Sequence, residues 1–446
     1  MSTKTGRARS SSASDSSATD ERPQKAGARI SEHKLRNGMR VLVAERHLDP
    51  VVAVMVWYGV GSRNERDEEA GVSHFLEHMM FKGSKSFGKG EVDHLTTTLG
   101  GSNNAHTGPD HTAYWFEFAS DRWESALEIE ADRMRTLTID PAEFASEKAV
   151  VLEELAMGED DPWQNLTRQM QEVLFSRHPY RRPIIGYADV LEAMTPDAMR
   201  AYYERFYHPS NAILVVCGDV KPQAVMKAAR KHFGSIPAGP ALEMVDCFRP
   251  EIEEPRSARR VHTNWDDPGT RVALAWPTVA VGEEIDYVLD LVSSLLTTGR
   301  LSRLYRSLVM EQGIATYVGS SNDARVDGGS FWIYAEAVQG VSAERVEAAI
   351  KQEIQLMIDE GVSAEDLKRA KKTLASTEAF EGETVSDLAE QLGSFAIDRD
   401  WRIAIDVSKR RQKVTAKAVR AACESFLVEA RSVIGVSLPV AEGVPA

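Results

Sequence analysis

Length, composition and charge place broad limits on this chain. It has 446 residues, of which 43% are apolar and 27% charged, and its formal net charge is −14. This length exceeds a single ordinary core and predicts two or more domains, while the negative charge argues against nucleic-acid binding as the main task. No apolar run reaches the length of a bilayer crossing, so we expect no membrane span.

The first 28 residues differ in composition from the rest. They are rich in serine, alanine and charge and contain no apolar segment typical of a secretory signal, which predicts a disordered tail over residues 1–28. Arg7, Arg9 and the serines weakly resemble a mitochondrial transit peptide, but acidic residues in the same stretch count against one. Three widely spaced cysteines fit a reducing compartment. We expect a cytoplasmic protein of bacterial type, or a mitochondrial matrix protein if the tail is a transit peptide.

Apolar patterning predicts a first domain over residues 29–236. The run Val51–Tyr58 is typical of a strand buried on both faces, and Asn37-Gly38 marks a hairpin turn. Strands are predicted at 30–35, 39–44, 51–58, 111–119 and 212–220, and one can follow the glycines at 100–101. Helices are predicted at 73–81, 91–99, 123–137, 141–157, 163–175, 187–193, 196–206 and 225–233.

The second half has a pattern of predicted strands and helices similar to that of the first. Residues 237–256 are rich in proline, glycine and acidic groups, which predicts a linker before a second domain at 257–440. Strands are predicted at 271–276, 330–337 and 433–438, and helices at 285–296, 301–312, 342–359, 364–379, 386–395 and 415–426. The patterns predict an α+β fold of two homologous-looking domains, each a mainly antiparallel sheet with helices on one face.

One predicted helix carries the strongest candidates for metal-binding and catalytic residues. His74 and His78 are four residues apart, so both imidazoles project from one face, and Glu77 adjoins that face. Two imidazoles at this spacing suit a tetrahedral Zn²⁺, and the carboxylate between them can take a proton from a metal-bound water. The pattern is H-x-x-E-H. The plain alternative is a buried helix that carries these residues by chance.

A catalytic zinc site needs a third protein ligand, and the helix predicted at 141–157 offers candidates. Glu147 and Glu154 are seven residues apart, two helical turns along one face. Acidic residues on a helix usually cover a solvated face, and position alone does not choose Glu154 over Glu153 or Glu143.

The chain resembles the pitrilysin or insulinase-type zinc peptidases. The resemblance rests on the H-x-x-E-H pattern at residues 74–78, followed after 75 intervening residues by Glu154. It runs from residue 30 to the end and is strongest to the branch that includes the mitochondrial processing peptidase and its bacterial relatives. Further matching segments are Gly100-Gly101 to Asn104-Ala105, Thr107 with Asp110, Thr112 and Tyr114, residues 127–134, and residues 211–219.

The resemblance implies a role for individual residues. One Zn²⁺ per chain would be held by His74, His78 and Glu154, and Glu77 would activate a zinc-bound water. Glu147 would support the ligand set from the helix that carries Glu154. Asn104 and Ala105 would offer an edge strand to which a peptide substrate adds by β-augmentation. The two halves would face each other as a clam-shell around a closed chamber that admits peptides or unfolded segments.

The second half departs from the family pattern. Family members that grip substrate from this half carry an arginine and a tyrosine seven residues apart, and the matching positions here are Val309 and Thr316, with Tyr317 one residue beyond. We therefore expect a zinc endopeptidase that is the metal subunit of a heterodimer, with a homologous partner that carries the Arg/Tyr pair. The alternatives are a non-catalytic core or assembly subunit of the same fold, a self-sufficient homodimeric peptidase, and a peptide-binding module without turnover.

Overall fold

The structure is a computed structural model that describes residues 22–23, 27–242, 252–253 and 255–440. Most of the predicted disordered tail (residues 1–21 and 24–26) and the middle of the predicted linker (residues 243–251 and 254) lie outside the described residues. The prediction of disorder is wrong at Arg22–Pro23, which form a short strand paired with Arg29 and Ile30. The predicted domain boundaries therefore stay a prediction.

The first half follows the predicted order of elements closely. Its strands are β1 (Arg22–Pro23), β2 (Arg29–Lys34), β3 (Arg40–Glu45), β4 (Val51–Tyr58), β5 (Ser102–Thr107), β6 (Thr112–Ala119) and β7 (Ala212–Gly218). Its helices are α1 (Val72–Met79), α2 (Glu91–Thr98), α3 (Glu124–Thr136), α4 (Pro141–Glu159), α5 (Pro162–Leu174), α6 (Ala188–Ala193), α7 (Pro196–Phe206) and α8 (Pro222–Phe233).

The second half contains five described strands. They are β8 (Arg259–Trp265), β9 (Arg271–Thr278), β10 (Ala315–Asp323), β11 (Gly329–Ala337) and β12 (Val433–Pro439). Its helices are α9 (Glu284–Thr297), α10 (Ala343–Asp359), α11 (Ala364–Phe380), α12 (Val385–Asp398), α13 (Arg402–Lys413) and α14 (Ala416–Phe426). The helix predicted at 301–312 is present over residues 303–311, and it is π-helical at Tyr305–Glu311.

Each half forms its own sheet, and the five strands of the second sheet have the same topology as strands β3, β7, β4, β6 and β5 of the first. Within the described residues, the first sheet has the order β1-β2-β3-β7-β4-β6-β5, and the second, read in the same direction, has the order β8-β12-β9-β11-β10. In each sheet one pair is parallel, β3 with β7 and β8 with β12, and the other pairs are antiparallel. The predicted class of two similar α+β halves with mainly antiparallel sheets is confirmed.

The two halves exchange one helix each. Besides the helices that cover one face of its sheet, each half places a helix on the other half's sheet: Leu388 and Leu392 of α12 pack against the first sheet, and Leu166 and Met170 of α5 pack against the second. Gly393 lets α12 approach closely, because a Cβ there would lie 2.1 Å from the indole nitrogen of Trp57. The exchange joins the halves through two apolar cores.

Besides the short β1, strands β8 and β10 and helix α13 were not predicted. Both strands lie at the edges of the second sheet. The sequence of β10, ATYVGSSND, is mostly polar, and only two of its nine residues are buried. An edge strand needs less apolar surface than a central strand, so the apolar pattern used for prediction is weak there. None of the described helices has the length and apolarity to cross a membrane.

Candidate metal centre

Helix α1 is fixed at its start by a buried carboxylate and by a close backbone crossing. Glu65 accepts hydrogen bonds from the backbone nitrogens of Gly71 and Ser73, both at 2.9 Å, and so caps the first turn. Gly71 has a φ of 93°, and a Cβ at this position would lie 2.5 Å from the carbonyl oxygen of Ile185. Only glycine fits there without strain. The orientation of both histidines follows from this fixed start.

Helix α4 brings a third ligand group to α1. The Phe75 and Phe144 rings pack with their centroids 4.7 Å apart and hold the two helices together. As a result, Glu154 places Oε1 3.7 Å from Nε2 of His74 and Oε2 3.6 Å from Nε2 of His78. These three residues are the one group of metal-binding side chains found among the described residues.

The geometry and chemistry of this group fit a zinc ion. Ligand atoms about 2.0–2.1 Å from a tetrahedral zinc lie roughly 3.3 Å apart, close to the distances seen here. Burial, reinforced by the nearby charge of His78, lowers the pKa of His74 to about 4, so its imidazole is neutral at pH 7 and offers a lone pair. Two imidazoles and one carboxylate leave a fourth position open, as in catalytic zinc sites.

Glu147 supports the centre from behind His78. Its Oε1 lies 2.9 Å from Nδ1 of His78, and its Oε2 lies 2.5 Å from the ammonium of Lys82. Burial alone would raise the pKa of Glu147, but the bonds from Lys82 and His78 outweigh it and leave the pKa lowered. The carboxylate thus accepts a hydrogen bond from Nδ1–H and turns Nε2 of His78 toward Glu154.

Replacing Glu147 by glutamine should weaken the centre without destroying it. The amide keeps the size of the side chain but loses the charge that orients His78, and losses of this kind cost about 10–100-fold in metal affinity or activity. Zinc affinity measured by competition with a chelator would show this loss. Glu153→Gln is the matched control, since Glu153 is exposed on the same helix. Equal zinc affinity in the two variants would contradict the supporting role.

Glu77 lies beside the ligands and is oriented by a strand. Its Oε2 accepts a short hydrogen bond of 2.5 Å from the hydroxyl of Thr107, the last residue of β5. Burial raises the pKa of Glu77, while the Thr107 bond and the charge of His78 oppose the rise. A carboxylate with this orientation next to a metal site is suited to proton transfer.

A cavity of about 780 Å³ opens in front of the metal centre. His74, Glu77 and Glu154 lie in its wall together with Ala105 of β5. Another part of its wall is the polar face of α5, formed by Gln164, Thr167, Arg168 and Gln171. Helix α5 therefore packs its apolar face on the second sheet and presents its polar face to the site.

The two predicted substrate-binding residues lie on a strand with one free edge. Strand β5 ends the first sheet and pairs only with β6 among the described strands. Ala105 lines the cavity, while Asn104 is exposed and, by strand alternation, points to the opposite face. Their main-chain groups share the free edge, where a peptide could pair, but their side chains do not converge on one site.

The second half contributes little to the cavity. Arg325 is the one residue after position 188 in its described lining. Val309 packs against the second core, and Thr316 sits at an irregularity of β10 with its hydroxyl donating to the carbonyl of Glu336 (3.2 Å). Tyr317 is 53% exposed. None of the three residues lines the cavity in this chain.

Several residues of the site were not assigned a role from the sequence. Glu65, Lys82 and the polar face of α5 carry no pattern that distinguishes them from surface groups. Thr107 matched the family as part of a motif, but nothing in the sequence indicated that it contacts Glu77. The contact becomes visible only when the pairing of β5 in the sheet and its position beside α1 are known.

Models of protein families match both halves. Residues 40–187 match the model described as insulinase (peptidase family M16), and residues 193–374 match the model described as peptidase M16 inactive domain.

Individual relatives are similar over most of their length. The zinc protease PqqE of Helicobacter pylori (strain ATCC 700392 / 26695) is 30% identical over 387 residues, which is 84% of this chain and 85% of that protein. A protein of Bacillus subtilis (strain 168) named uncharacterized zinc protease YmxG is 27% identical over 345 residues, 77% of this chain and 82% of that protein. The crystal structure of a protease from Helicobacter pylori superposes with a TM-score of 0.89 at 25% identity, covering 92% of this chain and all of that one.

The chain combines two similar α+β halves with an H-x-x-E-H motif whose histidines converge with a glutamate, the arrangement typical of the inverzincin class of peptidases. The matches to both halves and the relative at 30% identity show that it belongs to the insulinase family of peptidases, family M16. The names of its relatives point to zinc as the metal. The description of the second family model as inactive agrees with the position of all three candidate ligands in the first half.

Proposed function

We propose that this chain is a zinc-dependent endopeptidase that cleaves peptides or unfolded segments of polypeptide. The position of Glu77 is the observation that carries the proposal. Its partly buried carboxylate lies beside the three convergent candidate ligands and in the wall of the same cavity. Strand β5, which has a free edge, lies next to it. His74, His78 and Glu154 would hold the ion. When bound, zinc supplies Lewis acidity and lowers the pKa of water to about 7.

The remaining steps belong to the side chains and main chain of the protein. An extended peptide adds to the free edge of β5 near Asn104 and Ala105 through main-chain hydrogen bonds. Glu77 takes a proton from the attacking water and later delivers it to the leaving amine. Thr107 keeps the Glu77 carboxylate oriented throughout. Recognition through the main chain favours extended shape over particular side chains, and enclosure between the two halves would exclude folded proteins.

We further propose that the chain works with a homologous subunit. Val309 offers no charge and Thr316 only a short hydroxyl where the family pattern has arginine and tyrosine, and neither residue lines the cavity. A partner of similar length that lacks H-x-x-E-H and carries the Arg/Tyr pair would complete the substrate-binding site. The scissile bond would then be held in place from two sides.

Purification of the chain alone tests both proposals. Alone, it should bind one zinc ion and cleave a peptide library poorly, and adding the homologous partner should raise kcat/KM on the order of 10²-fold, the scale of a corrected misorientation. The control is the same partner with its arginine and tyrosine replaced by alanine. Full activity of the chain as a monomer or homodimer, unchanged by the partner, would contradict the heterodimer. Zinc binding without cleavage in any assembly would contradict the peptidase and favour a non-catalytic subunit.

A further inference from the structure

A loop of the second half reaches into the first half beside the metal centre. This loop joins β10 to β11 at residues 324–328. The backbone nitrogen of Val326 donates to Oδ2 of Asp110 (3.1 Å), and that of Asp327 donates to the hydroxyl oxygen of Tyr180 (3.1 Å). On its own side the loop is held by a hydrogen bond of 2.9 Å from the backbone nitrogen of Val281 to the carbonyl of Arg325. The second half thus gives two main-chain donors to the first.

Asp110 is the point where these contacts meet. Its side chain is 5% exposed, and both of its carboxylate oxygens have partners. Oδ1 accepts from the hydroxyl of Tyr180 at 2.8 Å and lies 3.1 Å from Nε of Arg63, while Oδ2 accepts from Val326. The Tyr180 hydroxyl therefore bridges the first half's carboxylate and the second half's loop.

Asp110 belongs to the tight turn, residues 108–111, that joins β5 to β6. The turn is closed by a hydrogen bond from the backbone nitrogen of Gly108 to the carbonyl of His111 (2.8 Å). On one side the backbone nitrogen of Arg63 donates to the carbonyl of Pro109 (2.9 Å), and Gly61 is packed so closely that a Cβ would lie 2.3 Å from the carbonyl oxygen of Gly108. The second half's loop holds the other side, so the turn is clamped between two segments.

The residue before this turn is Thr107, whose hydroxyl donates to Glu77. We propose that Asp110 is a positioning residue of the peptidase reaction: it fixes the turn and, through it, the Thr107 hydroxyl against Glu77, and the β10–β11 loop completes its set of hydrogen bonds. This inference rests on the proposed function, in which Glu77 transfers protons. It gives the second half a role in the chemistry of its own chain, although that half lacks the Arg/Tyr pair.

Tyr180→Phe tests the link with the smallest change, since it removes only the bridging hydroxyl. We expect kcat to fall about 10-fold, the scale of one hydrogen bond that orients a reacting group, with KM within about 2-fold and zinc content unchanged. The control is Tyr203→Phe, which removes a buried hydroxyl that donates to the carbonyl of Arg133 (2.9 Å) in α3 and does not contact the turn. It should lower Tm and leave kcat unchanged.

A double-mutant cycle separates positioning from general stability. Thr107→Val removes the hydroxyl at the end of the path, and Thr107→Ser, which keeps it, should retain most activity. If Tyr180 acts through Thr107, Tyr180→Phe should cost little further kcat in the Thr107→Val background. If kcat of the double variant instead falls by the product of the factors seen in the two single variants, the inference is overturned.

Two further results decide the remaining cases. Amide hydrogen exchange of residues 102–107 should be faster in Tyr180→Phe than in the wild type, and unchanged exchange would overturn the inference without any activity assay. An active wild type whose kcat is unaffected by Tyr180→Phe would also overturn it and leave the proposed function standing. A zinc-loaded wild type that cleaves no peptide in any assembly would overturn both.

Discussion

Glu77→Gln is expected to abolish peptide cleavage while leaving the metal centre intact. Glutamine keeps the size of the side chain, and its amide oxygen can still accept the hydrogen bond from Thr107, but it cannot take a proton. Loss of a general base should lower kcat by a factor of at least ~10². The measurement is kcat and KM on a cleavable peptide, with zinc per chain determined by atomic absorption.

The controls for this variant separate three interpretations. Glu128→Gln changes an exposed glutamate on α3 and should behave as wild type. Near-normal kcat in Glu77→Gln would remove Glu77 from the mechanism. If the wild type and Glu77→Gln bind zinc and peptide equally well and neither cleaves the peptide, the chain is a peptide-binding module and not an enzyme.

The sequence predicts the centre of each sheet better than its edges. Strands β4, β7 and β9 are continuous apolar runs because helices cover both of their faces, and their buried side chains are visible as a pattern. Strands β8 and β10 have one free edge and many polar residues, so their pairing depends on neighbours far along the chain. Propensity in such a segment does not distinguish a strand from a loop.

The exchange of α5 and α12 shows a second limit of sequence patterns. Leu166, Met170 and Leu174 recur at helical spacing and predict that one face of α5 is buried. Periodicity does not say which sheet covers that face, and α5 packs on the sheet of the other half. Because α5 packs on that sheet, its polar face lines the cavity, and this could not be derived from the sequence of the helix alone.

At the metal centre, local spacing was informative and long-range contacts were not. His74 and His78 share a face of α1 because four residues make about one helical turn. Glu154 was one of several acidic residues on α4, and only the family resemblance selected it. The structure supplies the physical reason: packing of Phe144 on Phe75 sets the relation of the two helices and brings Glu154 to both imidazoles.

His74→Ala is expected to eliminate zinc binding. His74 is one of three candidate ligands, and its removal leaves one imidazole and one carboxylate, fewer protein ligands than catalytic zinc sites have. The side chain at position 74 faces the cavity, while Phe75, Leu76 and Met79 form the buried face of α1. The variant should therefore fold, with a Tm close to that of the metal-free wild type.

The measurement is zinc per chain after dialysis against a chelator strong enough to remove surface-bound metal but not the wild-type ion. The wild type should retain about one zinc per chain, as expected for three protein ligands, and His74→Ala should retain almost none. His94→Ala is the matched control, because His94 is exposed on α2 and lies outside the ligand cluster. If His74→Ala kept stoichiometric zinc, the metal would have to bind elsewhere in the chain, and Glu77 would lose its place beside it.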